Sequence, residues 1–575
     1  MLKVAILSRG AGKQQYGLGQ DAKLIELSLK ELHKLGKTNL VVCHKDPYMY
    51  VGEDYVDVNI HLEVPCRAAY SYAKVNVVIP NPEWWYKKSW AWVGLDPSTV
   101  FFHKSKHSEA LFNGKGSLIG WRCPALDKPT SVSKRLDQVL FIVGGSKNKK
   151  AAADIIVENW RPEYNKLIIL STDTGLTRVE KPNVVWITQY ITNEEKQKLL
   201  ALSKYHIVAS LAEGFGYTMV ESITAGAKIL WTDIPVYKEV WGKLLGEEGI
   251  IKTTGCGAEA DTMLDNPVSF SSQSLFDAML TLDKQSYANV NDYILKMNKE
   301  FRQKFTYAWL GVEQRVKRYD TSVTKALPLK EKKERPIIGV VTLVYNRPHW
   351  FTHALRNIET SSYPRNKIVW VIVDDSEPNN RVDSYIEKTR TALPDLNIAY
   401  VSLPKKTPIG DKRNIGCEAA IKANNDVSVF AFMDDDDHYP TDSLNLRVDA
   451  LSDKIGAVYC ATLPMYDTCK YISAMNVPPL DLGPAERVSE ATLCFKRSFW
   501  VHCNFPKDIN IGEGEGFIAG REHETVELSP TNVIVSFIHN KNLTSRRVPE
   551  TKEPNGCHYG FSDEYFTMIS QLGSS

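Results

Sequence analysis

Residues 427 to 440 read VSVFAFMDDDDHYP, an apolar run of strand character that ends in four consecutive aspartates. Adjacent carboxylates at the end of a buried strand repel, which raises their pKa values and costs stability unless a positive group sits among them. A divalent cation would answer that need. Mg²⁺ or Mn²⁺ takes hard oxygen ligands, commonly one or two carboxylates plus substrate phosphates, and acts as a Lewis acid on a phosphate leaving group. Two other apolar runs, IIGVVTLVY (337–345) and KIVWVIVDDSE (367–377), also deliver polar groups at their ends: Tyr345-Asn346-Arg347-Pro348 after the first, Asp374 and Asp375 in the second. A solvated acidic turn is the bland alternative, and three converging segments argue against it.

The first half carries a different pattern. In LAEGFGYTMVESITAGAKILWTDIPVYKEVWG (211–242), Glu213 follows an apolar run, Gly214 and Gly216 flank Phe215, and Glu221 falls in the first turns of a helix. Both carboxylates could face one cleft and accept hydrogen bonds from sugar or ribose hydroxyls, while the helix N-terminus favours a phosphate. Taken singly, each glutamate reads equally well as an ordinary solvated residue. The early loop SRGAGKQQYGLGQD offers Gly17 and Gly19 before a helix, a possible anion cradle or simply a flexible turn. Four tryptophans within 84–92 could stack on a sugar or pack in a core.

The elements that must position these groups are legible as alternation. VAIL (4–7), LVVC (40–43), VNVVI (75–79), VLFIV (139–143), LIIL (167–170), VVWI (184–187), HIVAS (206–210) and KILW (228–231) read as strands separated by amphipathic stretches. Such alternation predicts parallel sheets with helices on both faces. The runs after Pro336 do not alternate and read as buried parallel strands. KALPLKEKKERP (325–336) has the composition of an exposed linker. The expected class is α/β throughout, with lobes at 1–130 and 131–324, the linker at 325–336 and a third domain at 337–575.

The segment 211–242 resembles the donor-site signature of GT-B glycosyltransferases of family 4. That resemblance implies two Rossmann-like lobes, with an acceptor side at 1–130 and a nucleotide-sugar side at 131–324. It implies a catalytic or donor-binding role for Glu213, a donor site formed by Gly214, Phe215, Gly216 and Glu221, and a diphosphate met by Lys147, Lys149 or Lys150, with the choice left open. The second half resembles GT-A glycosyltransferases of family 2 through VTLVYNR, VIVDDSE, GDKRNIGCEAA (410–420) and FMDDDDHYP. This resemblance implies a mixed α/β GT-A domain. Its donor site would comprise Thr342, Tyr345, Arg347, Asp374, Asp375, Arg413 and Asn414, and its metal ligands Asp434, Asp436, Asp437 and His539. A carboxylate base is expected in INIGEGEGFIAG (509–520), either Glu513 or Glu515.

At 575 residues, with 70 Lys and Arg against 68 Asp and Glu, the chain lacks the basic excess of a nucleic-acid binder. It has no run of 18 apolar residues, its N-terminal apolar run is too short for a secretory leader, and its ten cysteines show no paired CxxC spacing. The expectation is a cytoplasmic enzyme without signal peptide or integral membrane segment, using nucleotide-sugar donors and a glycan or glycoside acceptor. Two functional readings stand. One is a bifunctional glycosyltransferase with a retaining, metal-independent first half and an inverting half that needs Mn²⁺ or Mg²⁺. The other is a single active second half with the first as an acceptor-binding or structural module.

Overall fold

The computed structural model describes residues 1–8, 17–46, 55–124, 134–144, 147–171, 176, 178–256, 261–264, 268–324, 334–540, 542 and 559–574. Most of the 325–336 segment and the early glycine loop up to residue 16 therefore lie outside the described residues. Contacts divide the chain into two compact units: Met1–His44, Asp57–Pro65 and Lys74–Asp320 in the first; Lys45–Val56, Cys66–Ala73 and Thr321–Ser575 in the second.

The first unit holds two six-stranded sheets. One contains β1 (Leu2–Leu7), β2 (Leu40–Lys45), β3 (Val56–Glu63), β4 (Ala73–Pro80), β5 (Thr99–His103) and β6 (Ser117–Leu118) in the order 2-1-3-4-5-6. The other contains β7 (Leu136–Ile142), β8 (Lys166–Leu170), β9 (Val184–Ile187), β10 (Ser203–Val208), β11 (Lys228–Thr232) and β12 (Ile250–Ile251) in the order 12-11-10-7-8-9. Every pairing in the second sheet is parallel, as are β1 with β3, β4 with β5 and β5 with β6. All eight strand-like runs of this half lie in these sheets. A small antiparallel pair, β13 (Thr254–Gly255) and β14 (Val268–Ser269), stands apart. The 35-residue helix Val290–Thr324 places Phe301, Phe305, Trp309, Val312 and Val316 on one face, at spacings of three and four. That stripe packs on the first sheet, with Phe301 6.0 Å from Trp121 and Phe305 6.0 Å from Phe102.

The second unit is built on β15 (Ile337–Val344), β16 (Ile368–Asp374), β17 (Asn397–Ser402), β18 (Val427–Phe432), β19 (Asp437–His438), β20 (Ala457–Cys460), β21 (Leu463–Asp467), β22 (Ile472–Asn476), β23 (Ser489–Lys496), β24 (Thr525–Glu527) and β25 (Val535–Ile538). A seven-stranded sheet runs 17-16-15-18-23-20-24, and a four-stranded one runs 19-25-21-22. Strands β17, β16, β15 and β18 are mutually parallel, whereas β23 joins β18 and β20 antiparallel. The sheet is thus mixed α/β. All seven residues of β16 are buried, as its non-alternating sequence requires. The chain moves outward from β15 to β16 and β17, then returns to pair β18 on the other side of β15. That reversal makes a crevice outside the carboxyl ends of β15 and β18, the usual ligand position in open α/β sheets. Among the described residues, no helix is long and apolar enough to cross a membrane.

Candidate active site

Three chain segments arrive at this crevice. After β15, Asn346 adopts φ +53° and is fixed by two hydrogen bonds: its amide donates to Ser376 Oγ at 2.7 Å, and its Oδ1 accepts from the Glu377 amide at 2.9 Å. Arg347 then reaches the acidic loop after β18. Its Nη2 lies 2.6 Å from Asp435 Oδ1, and its Nη1 meets Asp436 Oδ2. A guanidinium is therefore the positive group paired with two of the four adjacent acids. Its two nitrogens serve two carboxylates, a division that a lysine ammonium could not reproduce.

The four aspartates differ. Asp435 is fully buried, its Oδ2 has no hydrogen-bond partner, and burial raises its pKa against the pull of Arg347. Asp436 is also penalised by burial, yet Arg347 and His539 override this and hold its carboxyl well below the usual range. His539 Nε2 is 3.1 Å from Asp436 Oδ2, and Asn542 Nδ2 donates to the same oxygen at 3.3 Å. The Asp434 carboxylate accepts no hydrogen bond among the described residues; burial raises its pKa while Arg413 opposes the rise. Asp437 instead accepts from the Phe537 amide at 3.1 Å, within the β19–β25 ladder. Asp436 and His539 are thus in direct contact, with Asp434 beside them in the same loop, while one oxygen of Asp437 is engaged by the Phe537 amide. His539 is held flat against Trp350, their ring centroids 4.6 Å apart.

The residues after β16 divide in the same manner. Asp374 is fully buried and accepts from the amides of Ser376 (2.9 Å) and Val382 (3.0 Å) and from Tyr400 Oη (2.9 Å), so it closes its own loop. Asp375 accepts from Lys412 Nζ at 2.8 Å and the Thr407 amide at 2.9 Å. Tyr345 lies under Lys406, 4.7 Å from ring centroid to nitrogen. Thr342 accepts from Trp370 Nε1 inside the sheet, and Asn414 clamps Trp500 and Phe505. These two are framework residues of the same crevice.

The helix Ile409–Ala423 carries Arg413, whose Nε donates to Glu513 Oε1 at 2.9 Å while its guanidinium stacks 4.4 Å from the Phe432 ring. Its Nη1 is buried without a partner. Gly512, at φ +78°, starts the short helix Glu513–Ile518 and turns Glu513 inward; Glu515 is exposed on the outer face. Glu490 on β23 adjoins this pair and accepts from the Gly514 amide at 3.3 Å; burial and then Glu513 raise its pKa. Sequence reading missed Glu490, Lys412 and Asn542. Lys412 neighbours the selected Arg413 and Asn542 follows His539 by three, whereas Glu490 is brought in solely by long-range strand pairing.

In the first unit, Glu213 Oε2 is 3.0 Å from Lys149 Nζ, and Glu221 Oε1 is 2.5 Å from Lys196 Nζ. A Cβ on Gly214 would fall 2.6 Å from Asn81 Oδ1, and one on Gly216, at φ +90°, 2.5 Å from the Tyr237 ring. Phe215 is buried against Tyr217 and Trp241. Gly17 and Gly19 sit in the first turn of the helix Gly17–Lys34, and Lys147 and Lys150 lie on the helix Lys147–Glu158. Lys147 stands 5.8 Å from the Trp84 ring, whereas Trp85 and Trp90 are core residues. Glu83, absent from the sequence reading, is buried near Glu213 and Glu63; desolvation pushes its pKa up to about 8. Lys104 nearby bonds Asp21 at 2.6 Å and Asn81 at 3.0 Å.

Residues 339–493 match the family model described as Glycosyl transferase family 2. This region is similar to family 2 glycosyltransferase domains and is GT-A-like in fold. Among solved structures, the mannosyltransferase PcManGT from Pyrobaculum calidifontis, in complex with GDP-Man and Mn²⁺, is 18% identical over 39% of this chain and 64% of its own, with a TM-score of 0.29. S. aureus TarS 1-349 in complex with UDP-GlcNAc is 15% identical over 37% of this chain and 61% of its own, with a TM-score of 0.26. The chain thus spans under two thirds of either structure. No curated protein sequence matches the chain.

Proposed function

We propose that the second unit transfers a sugar from a nucleotide-sugar donor to a glycan or glycoside acceptor with inversion, and that Glu513 is its base. The observation that carries this reading is the pairing of Glu513 with Arg413 at 2.9 Å on the crevice side, with Glu515 turned outward. The guanidinium fixes the orientation of the Glu513 carboxylate, and an oriented carboxylate within hydrogen-bond reach is what takes a hydroxyl proton from an acceptor. Among the described residues no three His, Cys, Asp or Glu side chains gather into a metal-holding group; Asp434, Asp436 and His539 are the residues that would hold Mn²⁺ or Mg²⁺ together with oxygens of the donor diphosphate, with Asp436 and His539 already 3.1 Å apart. The bound ion would neutralise charge on the departing diphosphate. Arg347 sits where a donor phosphate would compete with Asp435 and Asp436 for its guanidinium, and Lys412 and Lys406 flank Tyr345 at the nucleoside side.

The test is donor hydrolysis and transfer by the intact chain across nucleotide sugars, with Mn²⁺ or EDTA. Glu513→Gln is expected to lower transfer about 10²–10⁴-fold, and Glu515→Gln to leave it within a few fold. The reverse order would overturn the assignment.

For the first unit the same proposal extends to a second, GT-B-type transferase. The support is its pair of six-stranded sheets and the placement of Glu213 just beyond the carboxyl end of β10. The module reading draws on a specific observation: both Glu213 and Glu221 are already paired with lysines. Metal-independent consumption of a second donor, lost in Glu213→Gln, supports two activities; an unchanged donor profile in that variant supports the module.

A further inference from the structure

The second unit contains a cavity of about 420 Å³. It lies between the helix Phe351–Glu359, the β21–β22 hairpin, the Pro530–Val535 segment and the start of the helix Asp563–Ser574. Its size is that of a small-molecule site, of which about 300–1,000 Å³ is typical. Among the described residues no aspartate or glutamate lines it, and Arg356 is its one charged side chain. The Arg356 guanidinium rests 4.9 Å from the Tyr565 ring and makes no ion pair among the described residues. The rest of the lining combines hydroxyl and amide side chains, such as Thr531, Asn532 and Ser562, with apolar surface from prolines and Phe561.

The wall is rigidly built. His353 Nδ1 faces the Asp435 carbonyl at 3.1 Å, so Nδ1 carries the proton and Nε2 accepts. Tyr565 Oη, 2.8 Å from that Nε2, must donate to it and therefore accepts from His438 Nδ1 at 2.8 Å. Every hydrogen bond in this chain has a fixed direction, running from the cavity to the backbone of the acidic loop.

We propose that this cavity binds an anionic sugar, with a carboxylate or phosphate on Arg356 and the ring between the apolar plates and the hydroxyl rim. A cation with no counter-charge among the described residues favours an anion. A mixed lining of hydroxyls and flat apolar faces matches a sugar, whose edges are polar and whose ring faces are not. Arg347, Asp434, Asp436, Arg413 and Glu513 are not among its lining residues, so it goes beyond the transferase reading and is tested by binding alone.

The experiment is calorimetric titration of the intact chain with glucuronate, glucose 6-phosphate, glucose and inorganic phosphate. Arg356→Gln and Arg356→Lys are titrated alongside, and circular dichroism melting checks that each variant folds. One anionic sugar is expected to bind at a single site at least tenfold tighter than glucose or phosphate. Arg356→Gln should lose tenfold or more and Arg356→Lys should retain most of the affinity. Preference for glucuronate identifies a carboxylate ligand, and preference for glucose 6-phosphate a phosphorylated one. Equal binding of glucose or phosphate, binding undiminished in Arg356→Gln, or no binding at millimolar concentrations would overturn the proposal.

Discussion

Replacing Arg347 by glutamine tests what neutralises the acidic loop. The guanidinium touches both Asp435 and Asp436, side chains 0% and 12% exposed, and is itself 12% exposed. Its removal leaves two adjacent carboxylates with little water and, apart from Asp436's contacts to His539 and Asn542, no strong partner. Breaking a buried pair in this way costs about 3–5 kcal/mol, because the remaining charge stays desolvated. For a unit of this size, that corresponds to a fall of about 6–20 °C in its unfolding transition. The assay is scanning calorimetry of the intact chain in EDTA near pH 7.5. The sign with pH follows from Asp436, whose carboxyl Arg347 and His539 hold below its usual range: it contributes stability above its unfolded pKa and loses it as pH falls. The gap between native protein and variant should therefore narrow toward acid. Added Mn²⁺ should recover more stability in the variant than in the native chain, since the freed carboxylates become available to the ion. A change below about 2 °C in EDTA near pH 7.5 would refute the argument that Arg347 carries this charge balance.

Glu83→Gln should alter the pH profile of the first unit. With the folded pKa near 8, the native state keeps a proton that the unfolded chain releases above its ordinary value. Stability then falls by about 4 kcal/mol between pH 5 and 8, and calorimetry of Glu83→Gln should show that slope removed. Asp374→Asn should lower stability by about 1–3 kcal/mol, because one of three donors loses its acceptor, while shifting donor KM less than threefold. A large KM change with no loss of stability would contradict its placement as a loop clamp. Gly216→Ala should destabilise the first unit by about 1–3 kcal/mol, from a positive φ and a clash with Tyr237, measured as a lowered transition for that unit.

Much of the architecture was legible because burial writes itself into hydrophobic pattern. The apolar runs of β1, β4, β7, β8, β10 and β11 stand out in the first half, and the unbroken runs of β15, β16 and β18 in the second. Strand β3 escaped notice: VDVNIHLE alternates polar and apolar residues, yet Asn59 and His61 are buried because the sheet is covered on both faces and His61 bonds Asn76 at 2.9 Å. The convergence of Arg347, Asp375 and the aspartate run at one edge was equally readable, since parallel strands present their carboxyl ends together. Side-chain direction was not. Local sequence treats Asp434 to Asp437 alike, and only the turn after β18 sends Asp435 to Arg347, Asp437 to the Phe537 amide and Asp436 to His539, 103 residues away. The difference in burial between Glu513 and Glu515 was likewise hidden from local sequence, since it depends on Gly512 and the long-range partner Arg413. Sequence determined which chemical groups the strands deliver; the chain reversal across β15 and the pairing of β23 determined which of them meet, because such contacts join residues that share no local pattern.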